Sequence, residues 1–263
     1  MEEVVLKGTM FPYYGRFLPK ERRQRAFQAL VSMKGNYYDL LPVPNKKAEG
    51  RFLRYCPLCS AEDRKNIGET YWHRTHQIIG LNVCPVHKCY LHNSNIPIKS
   101  KATPMLKTAE EVISISEDVT WFENNLECHV AEYMSEVFHA DIDLEANVLV
   151  GQFFQYRTFQ DNKNLLYTDL IEFHKRFSNK EFVKVMQIDR ADIVDFYEVC
   201  LLALFINIPA SELVNMKLPK RMQPQFFRDE AKPNSWKEID SATLPFVKDA
   251  IAQLLKSGII RVY

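Results

Sequence analysis

Two pairs of side chains in the sequence have the residue types and the spacing of a metal site. Cys56 and Cys59 form a C-x-x-C pair, and after 24 intervening residues Cys84 and His87 form a C-x-x-H pair. Ligands three residues apart on a tight turn can both point at one ion, and two such turns supply the four ligands of a tetrahedral Cys3His zinc site. The matched spacing predicts one Zn²⁺ per chain, whereas ordinary burial of these side chains would not explain it.

The predicted zinc is structural, because protein side chains fill all four positions and a catalytic zinc usually keeps one for water. The sequence lacks the H-x-E partner of a zinc deaminase, an H-E-x-x-H motif, a P-loop, a Rossmann glycine pattern and a nucleophile elbow. We therefore predict no catalytic residues and no enzymatic activity. Cys89 and His92 follow closely and could compete as ligands, but they rank second because the other two pairs match each other.

Short motifs surround the ligand pairs and extend beyond them. They are CPLC at residues 56–59, GETYWHRTHQ at 68–77 and VCPVH at 83–87, with MFPYY at 10–14 and PKERR at 19–23 upstream and WKEID at 236–240 near the end. They resemble the TniQ/TnsD family of transposition target selectors, densely over about residues 8–92. Members usually begin before the F-P-x-Y element and continue past the last helix, so we expect a fragment or a short member. Cys89 stands where the family more often has glycine.

The resemblance implies a function in DNA transposition. Such a protein is expected to bind double-stranded DNA at a target site and to recruit an AAA+ ATPase regulator, which in turn brings the transposase. The alternative is a zinc-dependent protein–protein adaptor that binds the ATPase partner or a guide complex without reading DNA. A nuclease is a third hypothesis, since the acidic residues of such enzymes follow no spacing rule. Salt-dependent DNA binding separates the first two, and metal-dependent DNA cleavage would support the third.

Composition fits a protein of one or two globular domains. The chain has 263 residues, of which 46% are apolar and 25% charged. No run of about 18 apolar residues is present, and nothing at the N-terminus reads as a signal peptide, so no membrane contact is expected. Six cysteines, four of them candidate ligands or neighbours of ligands, suit a reducing cytosol. Together with the resemblance this predicts a bacterial cytoplasmic protein, with a homodimer left open.

The net charge of +1 conceals an asymmetry along the chain. Residues 1–101 hold 17 Lys and Arg against 8 Asp and Glu, a balance of +9, whereas residues 102–263 hold 17 against 25, a balance of −8. A basic half joined to an acidic half suggests that the first half meets the nucleic acid. The alternative is a neutral protein whose two halves attract each other.

Hydrophobic periodicity predicts a mostly α-helical fold: an N-terminal zinc-knuckle module followed by a helical domain. The predicted division is an arm and basic helix at 1–50, a zinc-binding module at 51–104 and a helical domain at 105–263. Pro19 opens the basic helix, and 93–118 read as a linker. Further helices are expected at about 120–140, capped by Thr120, at 144–158, at 193–208 as a buried central helix, and after Asp240.

Five arginines in the basic half are candidates for contacts to DNA phosphates. Arg22, Arg23 and Arg25 crowd the first turns of the basic helix, where cations oppose the helix dipole and a nearby anion would relieve them. A solvated basic face is the alternative. Arg64 and Arg74 lie within the predicted zinc module and are the other two candidates.

Residues 168–188 give the pattern of two short helices separated by a tight turn. Such a pair fits a helix-turn-helix, whose second helix would enter the major groove, although any helical hairpin gives the same pattern. Lys180, Lys184 and Gln187 recur at i, i+4 and i+7 on one face of the second helix. They are the predicted DNA-reading residues of this half of the chain.

Overall fold

Helices dominate the part of the chain that the structure describes. The computed structural model describes residues 1–35, 40–41, 52–98, 107–116, 118–123, 125–147, 150–160 and 195–217, about half of which are helical. They belong to one compact unit, Met1–Lys217. The elements in chain order are a π-helical turn Val4–Gly8, α1 Phe11–Gly15, α2 Lys20–Ser32, β1 Phe52–Tyr55, α3 Pro57–Ile67, a 3-10 turn Thr75–Gln77, β2 His92–Pro97, α4 Ala109–Val112, α5 Asn125–His139, α6 Val150–Gln160, α7 Phe196–Phe205 and α8 Ala210–Asn215.

The first hydrophobic core lies between α1 and α2. Pro19 immediately precedes α2, as predicted, because its fixed φ suits a helix start and its missing N–H is not needed there. Phe11 and Phe27 pack with their ring centroids 5.5 Å apart, and Leu18 is buried between these helices. This core fixes α2, and with it the arginines predicted to contact DNA.

A second packed region joins α5 to α7 and α8. The helix predicted at about 120–140 corresponds to α5, on which Val130, Tyr133 and Val137 are buried. The Tyr133 hydroxyl donates a hydrogen bond of 2.9 Å to the carbonyl of Ile208, in the connection between α7 and α8. The predicted buried helix near residue 200 is also confirmed: α7 begins at an Asp195 cap and buries five consecutive residues, Val199, Cys200, Leu201, Leu202 and Ala203.

Two predicted helix starts are wrong, in each case because a backbone carbonyl is engaged elsewhere. The Thr120 carbonyl accepts the Tyr90 N–H at 2.9 Å, and α5 begins only at Asn125. The Leu144 and Ala146 carbonyls accept hydrogen bonds from Arg23, and the helix predicted to start at residue 144, α6, begins at Val150. The stretch predicted as a linker contains β2 and also α4, whose capping box pairs Thr108 with Glu111.

A two-stranded antiparallel sheet carries the chain into and out of the cysteine-rich segment. Tyr55 pairs with His92 and Arg54 with Asn93, and the register is irregular between Phe52 and Arg54. Because β1 ends one residue before Cys56 and β2 begins three residues after Cys89, the sheet holds both ends of the segment together. This segment contains all four predicted zinc ligands.

Several predicted features lie outside the described residues. They include the helix-turn-helix at 168–188, with Lys180, Lys184 and Gln187, and the final helix after Asp240. Within the described ranges, no helix combines the length and the apolar character needed to cross a bilayer.

Candidate metal centre

The first ligand pair sits at the start of α3. Cys56 is the N-cap of this helix and Pro57 occupies its first turn, so the chain turns sharply enough for Cys59 to face back towards Cys56. The Cys59 N–H donates to the Cys56 sulfur at 3.5 Å. A helix N-terminus favours negative charge, which suits a thiolate at this position.

The second ligand pair lies on a closed turn between Cys84 and Cys89. The Cys84 N–H donates to the Cys89 carbonyl at 2.8 Å, and the Lys88 N–H returns to the Cys84 carbonyl at 2.9 Å. Lys88 takes the left-handed conformation, at φ 55°, to close the turn. As in the first pair, the N–H of the later ligand, His87, donates to the earlier sulfur, Cys84, at 3.5 Å.

The four predicted ligand atoms converge on one point. All of them lie within 4.8 Å of one another, and they could hold a metal ion. The Cys59 and Cys84 sulfurs are 3.7 Å apart, and the His87 Nδ1 lies 3.6, 3.3 and 3.8 Å from the sulfurs of Cys56, Cys59 and Cys84. Tetrahedral Zn²⁺ with ordinary bond lengths requires edges of about 3.6–3.8 Å. The spacing of the donor atoms therefore fits the group that the sequence predicts.

The thiols are poised for binding a cation. Hydrogen bonds from the Cys59 and Cys84 thiols lower the pKa of Cys56, and the pKa of Cys59 is raised because its thiol is the donor to Cys56 and Cys84. A divalent ion would take the place of these shared protons, since the thiolate is the form that binds a metal. Binding of a divalent ion by these thiols would therefore release protons.

Glu62 supports the histidine ligand from the outer side. Its carboxylate oxygen lies 3.1 Å from the His87 Nε2, while Nδ1 faces the sulfurs. Burial lowers the pKa of His87, but the hydrogen bonds to Glu62 and Cys84 outweigh it and raise the pKa overall. A carboxylate on the outer nitrogen fixes the tautomer and orientation of a metal-binding imidazole.

His76 touches the centre from inside the protein, as part of a stack of rings. Its side chain is buried, its Nε2 lies 3.7 Å from both the Cys59 and the Cys84 sulfur, and its ring stacks on that of His73 at 4.8 Å. Burial lowers the pKa of His76, so the imidazole is neutral and can give one N–H to the two sulfurs. His76 is therefore placed where it can support both thiolates.

We predict that His76→Phe weakens Zn²⁺ binding about 10- to 100-fold, because two thiolates lose a hydrogen-bond donor. Competition with a chromophoric chelator measures the affinity. His76→Gln retains an N–H and should recover part of the loss, and the exposed His129→Phe should leave the affinity unchanged. An affinity of His76→Phe equal to or higher than that of His76→Gln would show that the N–H donor does not contribute to metal binding.

A second group of potential donors shares Cys59. The ligand atoms of Cys59, His73 and His76 also lie within 4.8 Å of one another. The His73 Nε2, however, is 2.8 Å from the Asp63 carboxylate, which also accepts the Thr70 hydroxyl at 3.1 Å. Because His73 is engaged with Asp63 and Cys59 cannot serve two ions independently, the four-donor group is the better candidate.

The two second-choice ligands have different positions. The Cys89 sulfur lies 3.4 Å from that of Cys56, inside the buried cysteine cluster. The His92 ring packs against Tyr55, with centroids 5.6 Å apart. Of the two second-choice ligands, which the sequence alone ranked equally, Cys89 is therefore the one that lies close to the metal donors.

Arg54 and Gln77 hold the two ligand pairs in place, and the sequence analysis missed both roles. The Arg54 guanidinium donates to the carbonyls of Leu81 and of Ile78, the latter at 2.7 Å, in the segment leading to Cys84. The Gln77 side chain bonds both the N–H and the carbonyl of Arg54, at 3.1 and 2.8 Å. Only the position of Arg54, two residues before Cys56, hinted at such a role in the sequence. Its partners could not be inferred, because they are more than 20 residues away along the chain.

Two of the predicted DNA contacts within the module are occupied by internal partners. Arg64 forms a salt bridge of 2.8 Å with Glu110 and also donates to the Ile113 carbonyl at 2.5 Å. Arg74 donates to the carbonyls of Leu6 and Thr9, at 3.2 and 2.7 Å, and lies over the Phe138 ring. These contacts tie the module to its neighbours, and the phosphate contact predicted for both arginines stays a prediction.

The three arginines of α2 differ in exposure. Arg23 is 0% exposed and donates to the carbonyls of Leu18, at 2.9 Å, and Leu144, at 3.3 Å, so it cannot reach a phosphate from this position. Arg22 is half-buried and donates its Nε to the Leu40 carbonyl at 2.6 Å, whereas Arg25 is exposed. The phosphate role predicted for Arg23 is corrected by its burial, while Arg25 is placed where a ligand could meet it.

Comparison with known proteins bears on the segment that contains the centre. Residues 1–91 match the family described as TniQ. Over 90 residues the chain is 33% identical to the Transposon Tn7 transposition protein TnsD of Escherichia coli, an alignment that covers 33% of this chain and 18% of that protein. The matched family segment includes both ligand pairs, Cys56 with Cys59 and Cys84 with His87.

Proposed function

We propose, from the match of residues 1–91 to the TniQ family, that this chain selects the target site in DNA transposition. The observation that carries the proposal is that the family segment contains a complete set of four metal donors in tetrahedral spacing. The role of the metal is to hold this segment in its fold, and we assign it as Zn²⁺. Four protein donors leave no position for a reacting water, which supports a targeting protein rather than an enzyme.

We propose further that the chain binds double-stranded DNA and recruits an AAA+ ATPase regulator. The positive balance of residues 1–101 supports the DNA contact. Of the predicted phosphate contacts in the described residues, Arg22 and Arg25 on α2 keep that role in the proposal. Lys180, Lys184 and Gln187, outside the described residues, stay predictions, as does the division at 1–50, 51–104 and 105–263.

Neutralising the α2 contacts tests the DNA proposal. We expect Arg22→Gln with Arg25→Gln to weaken binding to all duplexes alike and to flatten the plot of log affinity against log salt by about 0.9 per lost phosphate contact. Arg23 is left intact because its burial makes it part of the fold. Fluorescence anisotropy with labelled random and chromosomal duplexes at several salt concentrations provides the measurement.

The matched control removes the same charge from the metal module. Lys65 and Lys88 are both exposed there, so Lys65→Gln with Lys88→Gln also lowers the net charge by two. If the control flattens the salt dependence as much as the α2 variant, DNA does not lie along α2. If the α2 variant keeps the slope of the wild-type chain, its arginines form a solvated face.

A protein–protein adaptor is the second candidate, and one surface favours it. Val86, Trp121 and Tyr90 expose 70%, 64% and 39% of their surfaces beside the second ligand pair. Exposed aromatic and aliphatic side chains of this kind are typical of protein-binding patches. A chain that recruits the ATPase regulator but gives no salt-dependent DNA binding in the experiment above would be an adaptor.

A further inference from the structure

A fifth donor lies directly against the metal centre. The Cys89 side chain is fully buried, and its sulfur is 3.4 Å from that of Cys56. The turn that carries Cys84 and His87 also carries Cys89, because the Cys84 N–H closes it on the Cys89 carbonyl. The cysteine therefore belongs to the same small structural unit as two of the four ligands.

Two atoms compete for the position next to Cys56. The His87 Nδ1 lies 3.6 Å from the Cys56 sulfur, and the Cys89 sulfur lies 3.4 Å from it. Two thiolates on one tetrahedral Zn²⁺ are separated by about 3.8 Å, so both candidates are near ligand spacing from Cys56. The histidine side chain keeps 14% of its surface exposed, at the rim of the centre, whereas Cys89 is enclosed with the other three sulfurs.

We propose that Cys89 is a reserve ligand that can replace His87 and complete a site of four cysteine thiolates for Zn²⁺ or for a softer divalent ion such as Cd²⁺. In the exchange the bond from the metal to the His87 nitrogen breaks and a bond to the Cys89 sulfur forms. The Cys89 thiol loses its proton to the solvent, because a thiol bound to such a cation is deprotonated. The ion with its ligands changes from a net charge of −1, with three thiolates and a neutral imidazole, to −2.

The competing role for Cys89 is that of a hydrogen-bond donor to the Cys56 thiolate. A thiol can donate at the observed separation without ever binding the metal. The two roles differ when His87 is removed. A reserve ligand then completes the coordination, whereas a donor leaves three thiolates and a water molecule on the ion.

The test uses the full chain with His87→Ala, Cys89→Ala and both together, loaded with Zn²⁺ or with Co²⁺. We expect the wild-type chain and both single variants to bind one equivalent, and the double variant to lose the tight site. The absorption from thiolate to Co²⁺ should be about one third stronger in His87→Ala than in the wild type, since four thiolates replace three. His87→Ala combined with Cys128→Ala, a buried cysteine outside the cluster, should bind as His87→Ala does.

The proposal is overturned if His87→Ala binds no better than the double variant or gives the absorption of three thiolates. Should His87→Ala fail to fold, ¹¹³Cd nuclear magnetic resonance of the wild type decides. Cd²⁺ is a soft ion that favours thiolate ligands, so the signal of the wild-type chain should lie at the position of a four-sulfur site. Cys89→Ala should move the signal away from that position. An unchanged signal would also overturn the proposal. The outcome is independent of DNA binding, while a wild-type chain without metal would refute the centre itself.

Discussion

Cys59→Ser will release the metal and unfold the segment between β1 and β2. Cys59 lies at the middle of the donor set, with its sulfur 3.7 Å from that of Cys84 and 3.3 Å from the His87 Nδ1. The other buried members of its hydrophobic cluster are Cys56, Cys84 and Cys89, with Leu58, Leu91 and Val119 only partly buried around them. So small an apolar cluster cannot replace a structural zinc, which contributes on the order of 10 kcal/mol in small modules.

Elemental analysis and thermal unfolding followed by circular dichroism measure this effect. The wild-type chain, purified without chelator, should carry one Zn²⁺, and Cys59→Ser should carry well under half an equivalent. Cys128→Ser makes the same chemical change at a buried cysteine in α5, outside the cluster, and should retain the metal. Full zinc content and an unchanged melting temperature in Cys59→Ser combined with Cys89→Ala, which also removes the proposed reserve ligand, would refute the structural metal.

Arg23→Ala will destabilise the fold by about 3–5 kcal/mol, an effect unrelated to DNA. The guanidinium is fully buried and donates to the carbonyls of Leu18, Leu144 and Ala146. Removing it leaves these acceptors without their partner and opens a cavity behind α2. Buried groups that lose a charged partner cost far more than surface changes.

Urea unfolding of Arg23→Ala and Arg25→Ala provides the comparison. Both arginines belong to α2, but Arg25 is exposed, so its replacement should change the free energy of unfolding by less than about 0.5 kcal/mol. Similar losses for the two variants would mean that the Arg23 contacts contribute little. Comparing the two variants also distinguishes a loss of stability, expected for Arg23→Ala, from a loss of DNA affinity, proposed for Arg25→Ala.

The metal donors could be predicted from the sequence because their spacing is local. A C-x-x-C or C-x-x-H pair needs only one turn, and the structure forms both turns with the same N–H to sulfur bond. The helices around residues 27, 130 and 200 follow from apolar periodicity in the same way. The starts of helices were less predictable. Thr108 and Thr120 each begin a T-x-x-E pattern, but only Thr108 caps a helix.

The roles of Arg16 and Arg23 could not be predicted, because each has partners among backbone carbonyls far along the chain. Arg16 reaches the carbonyl of Asp141, and Arg23 that of Leu144, across more than 100 residues. A carbonyl acceptor leaves no mark in the sequence, whereas an acidic partner would. Cys89 was ranked only as a second-choice ligand for a related reason, since the spacing of the turn gives no distance to the opposite ligand pair.

The carbonyl-bound arginines have an effect beyond stability. Burial lowers the pKa of Arg16 to about 10, so its guanidinium still carries a full charge at neutral pH, which the Asp141 carboxylate nearby offsets only in part. These charges contribute to a long-range field that acts over about a Debye length, roughly 10 Å at 0.1 M salt. For an approaching polyanion, the enclosed arginines would speed the encounter, while exposed groups such as Arg25 would set the lifetime of the complex.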